Sequence, residues 1–288
     1  MGKVRVLAVI VCMMTTVDFT TADIIREINI DFVTISHAGN GTDPATENLY
    51  GAVGYNYRIG KYEVTNAQWD AFTDAAGAPT GNPSTAYDKT AYYTDAQQPT
   101  NYVSWYEAAQ FCNYLTSGDK SLGAYQLGID GSITVNRDAA ILAYGTVYVI
   151  PTENEWYKAA YYKPDDSGYS IYANGTNTDP VAGLETNYDR AIIGGQPWDV
   201  GTGTSEQNGT FDMMGNEWEW TETSIDSNRV QRGGAHDYNV ECLRSSYWTS
   251  DGPDGEGSNA GFRIAEIPEP ASAVILALGM FLIASKRK

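Results

Sequence analysis

Three carboxylates in one short segment are the residues of this chain best suited to chemistry. The segment Phe211 to Trp220 reads FDMMGNEWEW and contains Asp212, Glu217 and Glu219, with Gly215 between them where the backbone can turn tightly. Hard cations such as Ca²⁺ bind carboxylate and carbonyl oxygens, and a glycine-containing loop can present both. The spacing does not match an EF-hand. An acidic turn flanked by core aromatic residues stays open as the second interpretation.

The composition limits the classes of function that the chain can serve. It has 288 residues, a formal net charge of −18 and 42% hydrophobic residues. The hydrophobic content is sufficient for a packed core, which excludes a disordered protein. The negative charge repels phosphate backbones and excludes nucleic acid as a partner. With 29 Gly, 21 Tyr and 7 Trp, the chain is expected to form a loop-rich domain packed around aromatic residues.

The first 22 residues have the pattern of a secretory signal peptide. Lys3 and Arg5 provide a basic start, Val6 to Val17 is apolar, and small residues follow at 20–22. A signal peptide requires this order of basic, apolar and small residues. A buried strand is the alternative interpretation. We therefore expect residues 1–22 to be removed on export and the folded domain to begin at residue 23.

The last 22 residues, 267–288, have the pattern of a second targeting segment. Pro268, Glu269 and Pro270 precede an apolar run, and three basic residues end the chain at 286–288. This order resembles the PEP-CTERM sorting tail of Gram-negative bacteria. The resemblance implies that the export machinery and an exosortase are partners. It also implies transient anchoring in the inner membrane, followed by release to the cell envelope or the exterior.

Capping patterns predict three helices between these two ends. Thr65 to Gln68, Ser104 to Glu107 and Thr152 to Glu155 each place a hydroxyl three residues before a Gln or Glu, the arrangement of a capping box. Residues 28–35 alternate as one strand, 55–59 form a second candidate, and 124–150 are expected to form a hairpin turning at Asp130-Gly131. About fifty irregular residues after 162 would need an additional ordering element, such as a metal.

The order of several sequence blocks identifies the fold. The body of the chain is similar to the formylglycine-generating enzyme, or sulfatase-modifying factor, family over roughly residues 30–266. The matching blocks are Tyr62 to Trp69, Pro99 to Trp105, Pro151 to Trp156, Asp212 to Trp220, Arg232 to Gly234 and Gly261 to Arg263. The resemblance implies one mixed α+β domain at 23–266, with little regular secondary structure and a C-type-lectin-like arrangement.

The same resemblance implies a structural calcium site and a copper site. Calcium would be held by the side chains of Asp212 and Glu219 and by the backbone carbonyls of Gly215 and Glu217. Family oxidases hold Cu(I) with two cysteines that follow the Arg-Gly-Gly motif, and soft thiolates suit that ion. Counting forward from Gly234 places Tyr238 and Leu243 at these positions. Copper is therefore not expected as a cofactor, and Cys242 is a single thiol out of register.

The resemblance also locates a cleft. Its predicted residues are Trp218, Ala235 (where the family has serine), His236, Asp237 and Cys242. The sequence assigns no catalytic residue. Its only two histidines are too few for the iron centre of the sulfoxide-synthase branch, and a Cys–His nucleophilic pair is a formal alternative.

Two functions remain at this point. The first is an exported, calcium-stabilised, non-oxidising module that binds a peptide, a glycan or an envelope component. The second is a modifying enzyme that oxidises a protein cysteine to formylglycine or carries out a related oxidation. Cys112, on an apolar helix stripe, is expected to be buried and inert. The sequence leaves open whether it pairs with Cys242.

Overall fold

Short elements joined by long connections make up the fold, seen in a computed structural model that describes residues 22–192 and 194–267. The predicted signal peptide, apart from Ala22, and the tail beyond Ile267 lie outside the described residues. The strands are β1 Asp23–Ile25, β2 Ile28–Ile30, β3 Phe32–Ile35, β4 Tyr57–Gly60, β5 Tyr125–Leu127, β6 Ile133–Val135, β7 Val147–Val149, β8 Trp218–Ile225, β9 Asn228–Arg232, β10 Thr249–Asp251, β11 Ala260–Gly261 and β12 Ala265–Ile267. The α-helices are α1 Asn66–Ala76, α2 Trp105–Ser117, α3 Arg137–Tyr144 and α4 Glu153–Tyr161.

Two four-stranded sheets organise the domain. The first has the strand order β3-β4-β12-β7 and is antiparallel. The second has the order β10-β9-β8-β11, in which only the β8–β11 pair is parallel. The last described strand, β12, thus lies inside the first sheet between strands from distant parts of the chain. This mixed α+β arrangement is the fold class expected from the sequence.

All three predicted helix starts are confirmed. Thr65, Ser104 and Thr152 are N-caps, and each forms both hydrogen bonds of a capping box with the residue three positions later. These contacts satisfy backbone N–H groups that the first helical turn leaves without partners. The sequence signal was local and strong, so the structure reproduces it residue by residue.

Both predicted strands and the hairpin differ from expectation in detail, and the candidate at 55–59 is observed as β4, Tyr57–Gly60. The run 28–35 is divided into β2 and β3, because β2 pairs with β1 whereas β3 pairs with β4. The hairpin exists as β5–β6, but helix α3 follows it where no helix was predicted. Asn136 caps α3 by accepting a hydrogen bond from the amide of Ala139 at 3.0 Å. Only Ala140 of α3 is buried, whereas Leu142 on the opposite side is 89% exposed, so the apolar residues of this helix do not form a single stripe.

The described part of the segment 163–217 contains no helix or strand, and side-chain amides help to hold it. Asn208 donates to the carbonyls of Ala159 and Tyr162 at 2.9 and 2.7 Å, and Gln207 donates to the carbonyl of Ala160 at 2.8 Å. These carbonyls belong to the C-terminal end of α4, where helical partners are missing. The ordering that we expected from a metal is thus supplied at this point by hydrogen bonds.

Apolar side chains form a main core and a small second cluster. The main core includes an aromatic stack of Trp69, Phe72, Phe111 and Phe262 that joins α1 and α2 to the segment before β12. The second cluster contains Trp218, Ala235, Cys242 and Ala260. Among the described residues, no helix is long and apolar enough to cross a membrane.

Candidate functional site

The Asp212 carboxylate of the acidic segment is fully engaged by protein donors. Its Oδ1 accepts from the indole N–H of Trp198 at 2.8 Å, and its Oδ2 accepts from the amide of Gly201 at 2.7 Å. Asp212 is 4% exposed and has a φ of +59°, so the backbone turns sharply at this residue. These bonds attach the carboxylate to the irregular segment before it.

Glu219 forms a fully buried ion pair with Arg263. The guanidinium donates to both carboxylate oxygens, each at 2.6 Å, and the indole N–H of Trp156 adds a bond of 2.7 Å. Arg263 also donates to the carbonyls of Gly60 and Phe211 at 3.0 and 2.9 Å. Burial by itself would lower the pKa of Arg263, but the adjacent carboxylate keeps that pKa above its ordinary value. One guanidinium thus joins β4, β8 and the start of the acidic segment.

The two side chains predicted to bind calcium, Asp212 and Glu219, have protein partners in this structure. The carboxylate oxygens of Asp212 and Glu219 already accept N–H donors, and Arg263 supplies the positive charge that an ion would bring. The third position, Gly215, has a φ of +75°, and the carbonyl oxygen of Asn187 would lie only 2.3 Å from a Cβ there. Residues 22–192 and 194–267 contain no group of three or more His, Cys, Asp or Glu side chains that could hold a metal ion.

Chelation provides a direct test of the predicted calcium site. Since the loop is held by protein donors, we expect excess EDTA to leave the melting temperature of the purified protein unchanged. Bound calcium would stabilise the folded state by mass action, and its removal would lower that temperature. Differential scanning fluorimetry with and without EDTA is the measurement. A decrease that Ca²⁺ reverses and Mg²⁺ does not would restore the calcium site.

Glu217 is the one acid of the segment whose carboxyl group has no donor among the described residues. Its side chain is 0% exposed, and both of its oxygens lack a hydrogen-bond donor. Burial raises its pKa well above the ordinary 4.5, and the nearby Glu63 and Glu219 raise it further. Oε2 of Glu217 and the carbonyl oxygen of Thr100 each lie 2.6 Å from the point where a Cβ on Gly261 would stand. A side chain at position 261 would collide with both oxygens, so Gly261 leaves the space for the Glu217 carboxyl group.

Glu63 is part of this acidic group, and the sequence analysis missed it. Its carboxylate accepts from the side-chain amide of Asn216 at 2.7 Å and from the backbone amide of Glu217 at 3.1 Å. Burial raises its pKa well above 4.5, with further contributions from Asp212 and Glu219. Glu63 stands in the first block of the family resemblance. Its place in that block, two residues before the N-cap of α1, is the sequence signal from which Glu63 could have been predicted as a site residue.

Two of the predicted cleft residues, His236 and Asp237, line an open cleft of about 580 Å³. The imidazole Nδ1 of His236 lies 2.9 Å from the carbonyl oxygen of Asn216, and the ring packs edge-to-face against Tyr93 at 5.6 Å. Burial is the main cause of a lowered pKa for His236, so this imidazole is held as a mainly neutral group. The remaining lining residues are Tyr93, Arg190, Ile192, Gly194, Gly195 and Ser258.

The other three predicted cleft residues lie together in the second cluster. Trp218, Ala235 and Cys242 are buried, and the exposed rings of Tyr238 and Tyr247 stand beside Trp218 at 5.3 and 6.0 Å. Each of these two tyrosines is 40% exposed. The prediction thus divides into a polar cleft and an aromatic surface, which we name the aromatic wall: Trp218, Tyr238 and Tyr247.

Backbone pairing makes the cleft and the aromatic wall neighbours. The amide of Arg190 donates to the carbonyl of His236, and the amide of Asp189 donates to the carbonyl of Tyr238, both at 2.7 Å. Two residues of the irregular segment therefore run beside residues 236–238. Sequence reasoning did not include Arg190 or Tyr93, because each lies far from the Arg-Gly-Gly motif along the chain.

The thiols of the described chain lie apart from each other. Cys112 is fully buried in the main core and Cys242 is 5% exposed in the second cluster, and both are free. Burial raises the pKa of both thiols, most strongly that of Cys112. At the positions where the family places copper ligands, Tyr238 is exposed and Leu243 is completely buried. The second cluster thus holds one protonated thiol, which lies beside Trp218 of the aromatic wall.

Comparison with known proteins agrees with this architecture. The model of the FGE-sulfatase family, the sulfatase-modifying factor enzyme 1-like domain, matches residues 46–267, and the chain belongs to this family. It is 26% identical over 242 residues to the chaperone protein LppX of Paenibacillus barcinonensis, covering 73% of this chain and 79% of that protein. It is also 26% identical over 241 residues to the hercynine oxygenase of Mycolicibacterium thermoresistibile, covering 73% of this chain but only half of that enzyme.

A solved structure supports the fold independently. Treponema denticola variable protein 1 superposes with a TM-score of 0.62 at 21% identity, covering 87% of this chain and 99% of that one. At this identity the likeness establishes the fold alone. The relatives of the chain thus include one protein named as a chaperone and one named as an oxygenase.

Proposed function

We propose that the protein is a non-oxidising binding module of the sulfatase-modifying factor family, with its ligand in the polar cleft and against the aromatic wall. The observation that carries the proposal is the state of the cleft. The cleft retains its open volume, and the neighbouring second cluster holds one protonated thiol, Cys242, where the family's oxidases use two thiolates. Cu(I) chemistry needs soft thiolate ligands in a pair, and these side chains do not offer one.

A relative named as a chaperone supports a role in binding. The chain and LppX align over most of both proteins, so the shared part includes the folded domain. A peptide, a glycan or an envelope component is the ligand class that this cleft can take. Exposed aromatic rings beside a polar pocket are common in binding sites, since the rings supply contact area and the polar groups supply orientation.

Export determines where the module acts in this proposal. The terminal patterns support secretion through the signal peptide at 1–22, sorting by the PEP-CTERM segment at 267–288 and cleavage by an exosortase. The folded domain would then reside at the envelope or the exterior of a Gram-negative bacterium, after transient inner-membrane anchoring. Mass spectrometry of the protein recovered from its host would test both processing events, with intact termini as the contrary result.

Oxidation of a protein cysteine to formylglycine, or a related oxidation, is the second candidate. It is favoured by the likeness to hercynine oxygenase and by the presence of the Cys242 thiol at the aromatic wall. The chain spans only half the length of that enzyme, so the whole enzyme's activity does not transfer by alignment. The chain has no pair of cysteines after the Arg-Gly-Gly motif that could perform this oxidation.

An oxygen-consumption assay distinguishes the two candidates. We expect no O₂ uptake above background when the protein is mixed with a cysteine-containing sulfatase peptide, with or without Cu(I), because the second thiolate is missing. Mass spectrometry of the peptide should show an unmodified cysteine. A formylglycine product that disappears in C242S would establish the enzyme and end the proposal of a non-oxidising module.

A further inference from the structure

Lys158, in helix α4, is a buried cation without a carboxylate partner. Three lysine or arginine residues of the described chain are 0% exposed, and two of them, Arg232 and Arg263, each pair with a glutamate. Lys158 is the third, and it takes part in no salt bridge with any described residue. A charge removed from water is costly unless an opposite charge and hydrogen bonds compensate it. The described chain thus leaves this charge without a counter-ion.

The contacts that Lys158 makes use only part of its hydrogen-bonding capacity. Its Nζ donates to the carbonyl of His37 at 2.8 Å and lies 6.0 Å from the ring centroids of both Tyr57 and Tyr162. An ammonium group has three N–H donors. Two of them therefore have no acceptor among the described residues.

The ammonium group keeps its charge at neutral pH. Burial lowers the pKa of Lys158 to about 8, and the negative charge of Asp166 partly opposes this shift. Asp166 does not serve as its partner, because the Asp166 side chain is 61% exposed and accepts a hydrogen bond from the hydroxyl of Tyr162. At pH 7 the group is thus mainly protonated, and it remains able to bind an anion.

Lys158 lines a pocket of about 230 Å³ beside α4. Ser36 and His37, which also line it, are exposed, whereas Lys158 and Tyr162 are buried. The pocket therefore opens to solvent at the first pair and has the ammonium group at its inner end. It shares no lining residue with the polar cleft.

Two distant segments form this pocket, and contacts between them hold its walls. The imidazole Nε2 of His37 lies 3.0 Å from the carbonyl oxygen of Pro164, and the bond from Lys158 to the carbonyl of His37 joins the same two segments. Asn208, a further lining residue, donates to the carbonyls of Ala159 and Tyr162. A pocket whose walls are already fixed loses little conformational freedom when a ligand binds.

The size and the other walls of the pocket limit the ligand. Pockets that take drug-sized molecules begin at about 300 Å³, so this volume suits a ligand of only a few heavy atoms. Ile35 and Pro164 give the lining an apolar part, which suits a short carbon chain. One ammonium group neutralises one negative charge, and a dianion would add an excess negative charge to a chain that already carries −18.

We propose that this pocket binds a short-chain monocarboxylate, such as propionate. The carboxylate accepts hydrogen bonds from the free N–H groups of Lys158, and the carbon chain lies along Ile35 and Pro164. The ligand thereby supplies both the counter-charge and the acceptors that the described chain does not provide. The inference concerns a site separate from the polar cleft and does not depend on the function proposed for that cleft.

The test compares ligands that differ in charge but not in size. Binding of propionate, propionamide, phosphate and chloride is measured at pH 7 by NMR titration of the backbone amide signals of residues 34–37. We expect saturable binding of propionate and at least about tenfold weaker binding of propionamide, because the neutral amide cannot neutralise Lys158. Phosphate and chloride should bind at least about tenfold more weakly than propionate as well.

A matched pair of variants assigns the effect to one ammonium group. K158M removes the charge but keeps an unbranched side chain, and it should reduce the affinity for propionate to that of propionamide. K163M makes the same change at a nearby residue that does not line the pocket, and it should leave the affinity for propionate within about twofold of the parent. The melting temperatures of both variants are measured first. If K158M does not fold, the comparison of propionate with propionamide on the parent protein still decides.

Four results would overturn the inference. These are the absence of saturable propionate binding, equal affinity for propionate and propionamide, phosphate or chloride bound as tightly as propionate, and a K158M variant that binds propionate like the parent protein. The third outcome would assign the pocket to inorganic anions. The oxygen-consumption assay does not involve this pocket, so its result and the result of this test are independent.

Discussion

R263M is expected to destabilise the folded domain by about 3–5 kcal/mol, the range for removing one partner of a buried ion pair. Arg263 and Glu219 are both 0% exposed, so neither charge is compensated by solvent when the other is removed. The substitution also leaves the carbonyls of Gly60 and Phe211 without their donor, and unpaired buried carbonyls carry their own cost. Urea denaturation followed by tryptophan fluorescence gives the free energy of unfolding.

An exposed pair provides the control for this experiment. Arg244 and Glu241 lie 3.0 Å apart with side chains 35% and 64% exposed, so E241Q should change the free energy of unfolding by no more than about 1 kcal/mol. A comparably small effect of R263M would mean that the acidic segment is held by something other than this guanidinium. Restoration of R263M stability by added Ca²⁺ would identify that agent as a cation.

E217Q is expected to remove a pH dependence of stability that the parent protein shows above about pH 4.5. Burial raises the pKa of Glu217 in the folded state well above 4.5, so the folded protein binds a proton that the unfolded chain releases. Stability from this group is complete below the unfolded pKa and is lost as the pH rises toward the folded pKa. The loss approaches about 1.4 kcal/mol per pH unit.

The variant and the parent should therefore be nearly equal at pH 4 and diverge as the pH rises, with E217Q the more stable. The glutamine side chain keeps the size of the protonated acid but carries no group that ionises in this range. E241Q, which removes an exposed carboxylate, should give a profile parallel to that of the parent. Unfolding free energies measured from pH 4 to 8 provide the comparison. Parallel profiles for E217Q and the parent would show that Glu217 is not held protonated.

Local chemistry made the helix starts predictable. Each capping box needs only a hydroxyl and an amide or carboxylate three residues apart, and these interactions form within one turn. The structure reproduced all three. Helix α3 escaped prediction for the converse reason, since Leu142 is 89% exposed and the helix shows no apolar face. Strand boundaries also moved, because β2 pairs with the adjacent β1 whereas β3 pairs with β4, which lies beyond a long connection.

The site was partly predictable. Consecutive residues after the Arg-Gly-Gly motif located His236, Asp237 and Cys242, and the structure places them at the cleft or at its aromatic wall. The sequence could not place Arg190, which reaches His236 through a backbone hydrogen bond across 46 residues of separation. It also could not show that the Glu219 carboxylate would be taken by Arg263.

The sequence by itself determined the family, the helix starts, the absence of a cysteine pair after the Arg-Gly-Gly motif and the strong negative charge. Each of these depends on residue identity or on spacing within a few positions. Only the tertiary structure decided which polar groups are satisfied and which are left without partners. A carboxylate can bind a cation, pair with arginine or keep its proton, and the choice depends on burial and on donors brought from distant segments. Asp212, Glu217 and Glu219 lie within eight residues of each other, yet they meet three different environments.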